Sequence, residues 1–293
     1  MKPASFKYIQ ADCEAALLAA LSAHGGEAHL LAGGQSLVPM MNFRIVSPSV
    51  LIDLNRIDAL SFVRSDGNTL RIGALTRHAM LEDSDDVAKG CPLLHDAIKH
   101  VGHRAVRNRG TMGGSLALAY PGAEIPLVFI TLSAEICLGS ARGERRVPAA
   151  EFVLGALDTS LAEDEYIKSA DICLPPASSK ASFVEASRRH GDFAIAASAV
   201  VVDRGSDGRI SYVRAAVSGG IGTPVRLDLV ECGLADKMPR DAVLADLTRE
   251  AIAGIEVFGD HHYPEDYRRH LLQAVLQRAL TEAISKTEAG CVQ

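Results

Sequence analysis

The amino-acid sequence predicts an α+β protein, not a doubly wound parallel sheet. Strand-like and helix-like segments are intermixed without the regular strand–helix alternation that builds such a sheet. Three pairs of strand-like segments are joined by polar or glycine turns, the pattern of antiparallel hairpins. The C-terminal stretches 240–258 and 264–286 carry helical spacing instead.

Taken in order, a first helix is expected from Asp12, placed to cap it, to His24-Gly25-Gly26. Ala15, Leu17, Leu18 and Leu21 form its apolar face, and Gly25 suits the left-handed position after a helix end. A short apolar strand, Leu30–Ala32, runs straight into Gly33-Gly34, and Val50–Leu54 reads as another. Leu60–Val63 and Thr69–Ile72 flank Ser65-Asp66-Gly67-Asn68 as a hairpin. Leu93–Val101 has helical spacing, with Lys99, His100 and His103 near its end, where positive charge suits the helix dipole. A glycine-rich passage, 110–122, follows. Further hairpins pair 134–138 with 145–147 and 196–203 with 209–217, the latter turning at Gly205-Ser206-Asp207-Gly208. Leu174-Pro175-Pro176-Ala177-Ser178-Ser179 is the best linker, stiff and then polar.

At 293 residues the chain is long enough for two domains of roughly 150 residues each. It is 48% hydrophobic and 23% charged, which argues against intrinsic disorder. No stretch reaches the roughly 18 uninterrupted apolar residues of a membrane span; the most apolar region, 116–134, is broken by Pro121, Glu124 and Pro126. The N-terminus lacks the apolar core of a signal peptide, so a soluble, cytoplasmic protein is expected. A formal charge of −6 gives no bulk attraction to nucleic acid or anionic membrane. Cysteines 13, 91, 137, 173, 232 and 291 are too scattered for a Cys-x-x-Cys zinc or iron–sulfur motif, and are expected as reduced thiols.

Two segments carry the chemistry: AGGQSLVPMMNFR (32–44) and RNRGTMGGSLALAYPGAEIP (107–126). In each, Gly-Gly is followed within two residues by Ser. Glycines allow sharp turns and let backbone N–H groups approach an anion closely, and a nearby hydroxyl adds a donor. Two such loops brought together would hold a diphosphate from two sides; one alone reads as a plain turn, and only the pair brings the two readings level. Neither a Walker A sequence nor Gly-x-Gly-x-x-Gly is present, which disfavours mononucleotide P-loop and Rossmann readings.

With ASRRHGDFAIAA (186–197), VSGGIGTPVRL (217–227) and YRRHLLQAVLQRAL (267–280), these segments resemble the FAD-binding medium subunit of molybdenum hydroxylases, over nearly the whole chain. That family includes the flavoprotein subunit of carbon monoxide dehydrogenase and the flavin domain of xanthine dehydrogenase. The resemblance implies a two-subdomain FAD-binding domain of the vanillyl-alcohol-oxidase type at 1–175, divided near residue 55. A C-terminal domain of antiparallel sheet and helices at 176–293 would follow. It also implies that Ala32, Gly33, Gly34, Gln35 and Ser36 hold the FAD diphosphate from one side and Thr111, Gly113, Gly114 and Ser115 from the other. Glu124 would lie near the adenosine half, Asp192 and Phe193 would belong to the family's cofactor-binding Gly-Asp-aromatic segment, and Phe193 would lie against the isoalloxazine ring. For Phe193 an ordinary core position is the competing reading.

The implied function is an oxidoreductase component: a cytoplasmic electron-transfer flavoprotein in a heterotrimer, with no catalytic acid or base and no metal on this chain. A large subunit would carry the molybdenum pterin, a small one the [2Fe–2S] clusters, with two heterotrimers pairing into a dimer. Three departures stand out from the family pattern. Tyr120 precedes Pro121 where Asp is common, Val184-Glu185 replaces a stretch that often carries Lys, and Met112 replaces Ile. The alternatives are a self-sufficient FAD oxidase or reductase, needing its own acid or base near the flavin, and a scaffold that has lost FAD. Among the remaining polar residues, His95, His100 and His103 are expected on a solvated helix face. His261-His262 lack the converging ligands of a metal site. Arg104, Arg107 and Arg109 read as helix-end charge or as a face for an acidic partner, and Arg188-Arg189 and Arg268-Arg269 as possible docking groups.

Overall fold

The fold was obtained as a computed structural model, which describes residues 2–289; Cys291 lies outside the described residues. The chain opens with β1 (Lys7–Gln10), α1 (Glu14–His24), β2 (Ala28–Leu31), α2 (Leu37–Asn42) and β3 (Val50–Asp53). Strand β3 lies between β1 and β2 and is parallel to both. It is buried on both faces, which explains the unbroken apolar run Val50-Leu51-Ile52. The register sets Leu31 beside Asp53, so the residues after β2 and after β3 emerge at the same sheet edge. Asp12 does not cap α1: Cys13 is the cap residue, without a side-chain bond, and Asp12 reaches out to Arg56 instead.

A second unit follows. It contains β4 (Val63–Asp66), β5 (Thr69–Gly73), and six short helices: α3 (His78–Glu82), α4 (Asp85–Gly90), α5 (Pro92–Ile98), α6 (Arg104–Arg107), α7 (Met112–Leu118) and α8 (Glu124–Thr131). It closes with β6 (Glu135–Ser140), β7 (Gly143–Pro148), α9 (Ala149–Phe152), the small hairpin β8 (Val153–Gly155) and β9 (Asp158–Thr159), and β10 (Tyr166–Cys173). Five strands form an antiparallel sheet in the order β4-β5-β10-β6-β7. Leu60 is not in the first hairpin arm as expected. It is fully buried in a helical turn before β4, where its carbonyl accepts from Leu75 N–H. The second glycine passage is not a loop throughout: it forms α7 and leads into α8. Helix α8 is buried over its whole length, so its sequence is apolar all round and shows no helical stripe.

The C-terminal unit contains β11 (Lys180–Ala186), β12 (Ala196–Arg204), β13 (Ile210–Ser218), β14 (Val225–Arg226), α10 (Asp228–Leu234), α11 (Asp241–Ala253) and α12 (Glu265–Ala289). Its four strands are antiparallel in sequence order. Along β12 the pleat divides the side chains between two cores. Ala197, Ala199 and Val201 face the core shared with α5 and α8. Ala196, Val200 and Val202 face the core closed by α12, whose Leu272, Val275, Leu276, Ala279, Leu280 and Ala283 recur at helical spacing. A sheet covered on both sides thereby fixes the C-terminal unit to the second.

Candidate dinucleotide site

The two glycine segments meet. Directly after β2 the chain turns through Ala32-Gly33-Gly34-Gln35-Ser36 into α2. Gly34 has φ +72°, the left-handed region that an L side chain enters at a cost. Gly33 is required for space: a Cβ there would lie 2.3 Å from the Arg109 carbonyl oxygen and 2.9 Å from Gly110 Cα. Backbone therefore touches backbone at this point. Among the described residues, the N–H groups of Gly33, Gly34, Gln35 and Ser36 enter no hydrogen bond, and the Ser36 hydroxyl does not cap α2.

The second segment differs. Thr111 caps α7, its hydroxyl oxygen accepting from Gly114 N–H at 3.1 Å. Met112 N–H donates to Thr76 O (3.0 Å), Gly113 N–H to Ala74 O (2.9 Å) and Ser115 N–H to Thr111 O (3.1 Å). Gly113 is a packing glycine, since a Cβ would meet the Ala74 side chain at 2.7 Å. The symmetric picture of free amides on both loops is thus corrected. The first loop presents amides, whereas on the second the Thr111 hydroxyl and the Gly113, Gly114 and Ser115 amides are engaged within the protein, and positive charge stands beside it.

That charge comes from Arg77 and Arg109, neither of which has a carboxylate partner among the described residues. Burial and the neighbouring Arg109 charge hold the Arg77 guanidinium below its ordinary value. Beneath Gly110 lies His78, buried, with neither ring nitrogen hydrogen-bonded and its pKa pushed down to about 4 by burial. By contrast Arg104 and Arg107 are committed internally. Both bind Glu82, Arg104 adds Asp83, and Arg107 also donates to the carbonyls of Lys99, Val101 and Gly102 past the end of α5. They do not form a free basic face.

At the far end of α7, roughly 10 Å along a seven-residue helix, the chain meets the 186–197 segment. Gly122 O accepts from Ala194 N–H, and a Cβ on Gly122 would meet Ala194 O at 2.4 Å. This seats the exposed ring of Phe193 against Tyr120, centroids 4.2 Å apart and tilted 34°. Phe193 is therefore a surface aromatic and not a core residue. Asp192 beside it is exposed. Glu124 lies deeper, 3% exposed at the start of α8. Burial, with the Glu185 charge added, pushes its carboxyl up to about 8, so it is mainly protonated at neutral pH. Glu185 has one oxygen 3.2 Å from His100 Nδ1 and the other buried without a partner. His100 is consequently held by a carboxylate, and His95 Nε2 lies 3.1 Å from Glu82 O. The solvated histidine face is corrected for both.

The sequence reading missed Tyr8, Asp53, Asn55 and Arg77. Asn55 Nδ2 donates to Ala32 O (2.9 Å) and to Asp53 Oδ1 (2.6 Å), and Tyr8 O–H donates to Asp53 Oδ2 (2.5 Å). A usable signal existed, because Asp53-Leu54-Asn55 follows an apolar strand, and ligands of parallel sheets gather beyond the carboxyl ends of strands. Among the described residues no group of three or more His, Cys, Asp or Glu side chains is arranged to hold a metal, and no helix is long and apolar enough to cross a membrane.

Residues 4–176 match the family described as the FAD binding domain in molybdopterin dehydrogenase, and residues 181–283 match the CO dehydrogenase flavoprotein C-terminal domain. The 6-hydroxypseudooxynicotine dehydrogenase complex subunit alpha of Paenarthrobacter nicotinovorans is 37% identical, over 98% of this chain and 97% of its own. The carbon monoxide dehydrogenase medium chain of Hydrogenophaga pseudoflava is 34% identical, over 97% and 98%. Among solved structures, quinoline 2-oxidoreductase from Pseudomonas putida 86 superposes with a TM-score of 0.94 at 32% identity, covering 98% of this chain and 99% of that one. Fold, paired glycine segments and whole-length similarity agree: the chain belongs to the FAD-binding medium subunits of the molybdenum hydroxylases.

Proposed function

We propose that this protein carries FAD in the cleft between its two glycine segments and serves as the electron-transfer subunit of a molybdenum hydroxylase heterotrimer. The observation that carries the placement is the pairing of unengaged amides at Gly33–Ser36 with the guanidinium groups of Arg77 and Arg109, neither of which has an ion-pair partner among the described residues. Together they are the donor set and charge that a diphosphate satisfies. Ala32–Ser36 would hold one side, and Thr111, Gly113, Gly114 and Ser115 the other, the last two through helix placement and the Ser115 hydroxyl. Glu124, as a neutral acid, would donate toward the adenosine half. Phe193 and Tyr120, with Asp192, would border the isoalloxazine ring.

When bound, FAD takes electrons from an iron–sulfur partner and passes them to an external acceptor. The chain's own residues bind, orient and shield it, and substrate hydroxylation belongs to the large molybdenum subunit. In this reading residues 1–55 and 56–175 clasp the dinucleotide, 176–293 form the C-terminal domain, and the complex is a cytoplasmic dimer of heterotrimers. Purification of the tagged chain from its native host tests the assembly. A molybdenum subunit and a [2Fe–2S] subunit are expected to accompany it. A chain that stays alone and oxidises a substrate by itself would refute the reading.

A further inference from the structure

One polar chain in the structure crosses from the first unit to the second and ends on both glycine segments. Asn55 donates to the Ala32 carbonyl, just before Gly33-Gly34. Arg77 Nη2 donates to Asn55 Oδ1 at 2.6 Å, and Arg77 Nη1 donates to the Arg109 carbonyl, just before Gly110-Thr111. Asn55 is itself fixed by Asp53, which accepts from both the Asn55 backbone N–H (2.8 Å) and side chain, and Asp53 is fixed by Tyr8. The Arg109 oxygen that Arg77 holds is the atom against which Gly33 packs. The spacing of the two segments is thus set at one carbonyl by one guanidinium.

Arg77 is also an unusual cation. It is half-buried, has no carboxylate within ion-pair distance, and sits beside the like charge of Arg109, with Asp53 acting on it only from beyond Asn55. A partly desolvated charge that lacks an ion-pair partner is costly, and an anion delivered between the segments relieves that cost. Two of its five N–H donors are spent on Asn55 and Arg109, leaving three.

Resting on the placement of FAD above, we infer that Arg77 is a specificity-determining residue. It ties the two segments together through Asn55 and, with Arg109, selects ligands that carry a diphosphate. Recognition is therefore of the nucleoside diphosphate moiety, and ADP alone is a ligand of this site.

The test uses the full chain, cleared of flavin, with equilibrium titrations of FAD and ADP at several salt concentrations for wild type, Arg77→Gln, Arg77→Lys and Asn55→Ala. Loss of a charge-assisted contact predicts at least about tenfold weaker binding of both ligands by Arg77→Gln, with a shallower salt dependence. Arg77→Lys is expected to regain the salt dependence but only part of the affinity, because it cannot span both acceptors. Asn55→Ala is expected to weaken binding with the wild-type salt dependence. Wild-type affinity in Arg77→Gln overturns the inference, as does weaker binding with an unchanged salt dependence, which marks a purely structural tie. If thermal melting shows Arg77→Gln unfolded, Arg77→Lys carries the test, and wild-type affinity there overturns the bidentate role. A folded wild type that binds ADP but not FAD refutes the FAD placement and leaves the diphosphate inference standing. Failure to bind either refutes both.

Discussion

Replacing Gly33 by alanine adds one methyl group at the point where the two glycine segments touch. Its Cβ would stand 2.3 Å from the Arg109 carbonyl oxygen, and real Cβ contacts essentially never fall under 3.0 Å. One backbone must move by at least about 0.7 Å, which close-packed interiors resist. The opposing segment is not free to yield. Arg109 O is held by Arg77, Gly110 N–H donates to Val106 O at 2.7 Å, and Gly113 N–H donates to Ala74 O. Overpacking of this kind costs about 1–3 kcal/mol, offset by the roughly 0.4–1 kcal/mol that a glycine-to-alanine change gains through the unfolded chain. A net loss of about 1–2 kcal/mol lowers Tm by about 2–8 °C for a domain of this size. The displaced Gly33 and Gly34 amides would also weaken FAD binding by about tenfold or more, the worth of one hydrogen bond to a charged group. Thermal melting and FAD titration of Gly33→Ala are read against Gly222→Ala, whose added Cβ has its nearest neighbour 3.9 Å away on Phe258. Gly222→Ala is expected within about 0.5 kcal/mol of wild type. If Gly33→Ala matches it in both Tm and affinity, the two segments do not meet as described.

Three further outcomes are expected of the flavin-free chain. The Glu124 carboxyl, raised from 4.5 to about 8, favours folding fully below about pH 4.5 and loses that contribution as pH rises through 8, by at most about 5 kcal/mol. Denaturant unfolding of Glu124→Gln should lose this alkaline decline, and an unchanged pH profile would contradict its burial beside Glu185. His78, lowered from 6.5 to about 4, contributes stability above about pH 6.5 that disappears as pH falls to 4, about 3 kcal/mol in all. His78→Leu should flatten the acid limb of the same profile, and a wild-type acid limb would show that the ring is solvated. Phe129, fully buried in α8, should cost about 3–5 kcal/mol as alanine by urea unfolding, and a loss under 1 kcal/mol would place α8 outside the core.

Much of the architecture was legible because its burial is one-sided or its turns are chemically marked. The hairpins at Gly67, Gly143 and Gly208, each with φ above +50°, announce themselves by turn residues. The amphipathic α12 announces itself by spacing. The helices α7 and α8 were not legible, since glycine opens one and complete burial erases the stripe of the other. At the site, Gly33-Gly34 and Thr111–Ser115 stood out by composition. What composition could not show is that Gly113 N–H and Gly114 N–H are already spent inside the protein. The Tyr8–Asp53–Asn55–Arg77 chain was hidden for a topological reason: it forms only once β1, β2 and β3 are aligned and the turn after β5 is brought across them. Glu185 gains its meaning from His100, which lies 85 positions away in the chain and 3.2 Å away in space.

The central claim is that this chain seats FAD, and a visible absorption spectrum tests it most directly. The full chain is incubated with FAD, free ligand is removed, and the folded state is checked by thermal melting. The account predicts bands of oxidised flavin on the protein, FAD released on denaturation, and a higher Tm in the loaded form. A folded chain that stays colourless both alone and in the complex isolated from its native host would contradict the account.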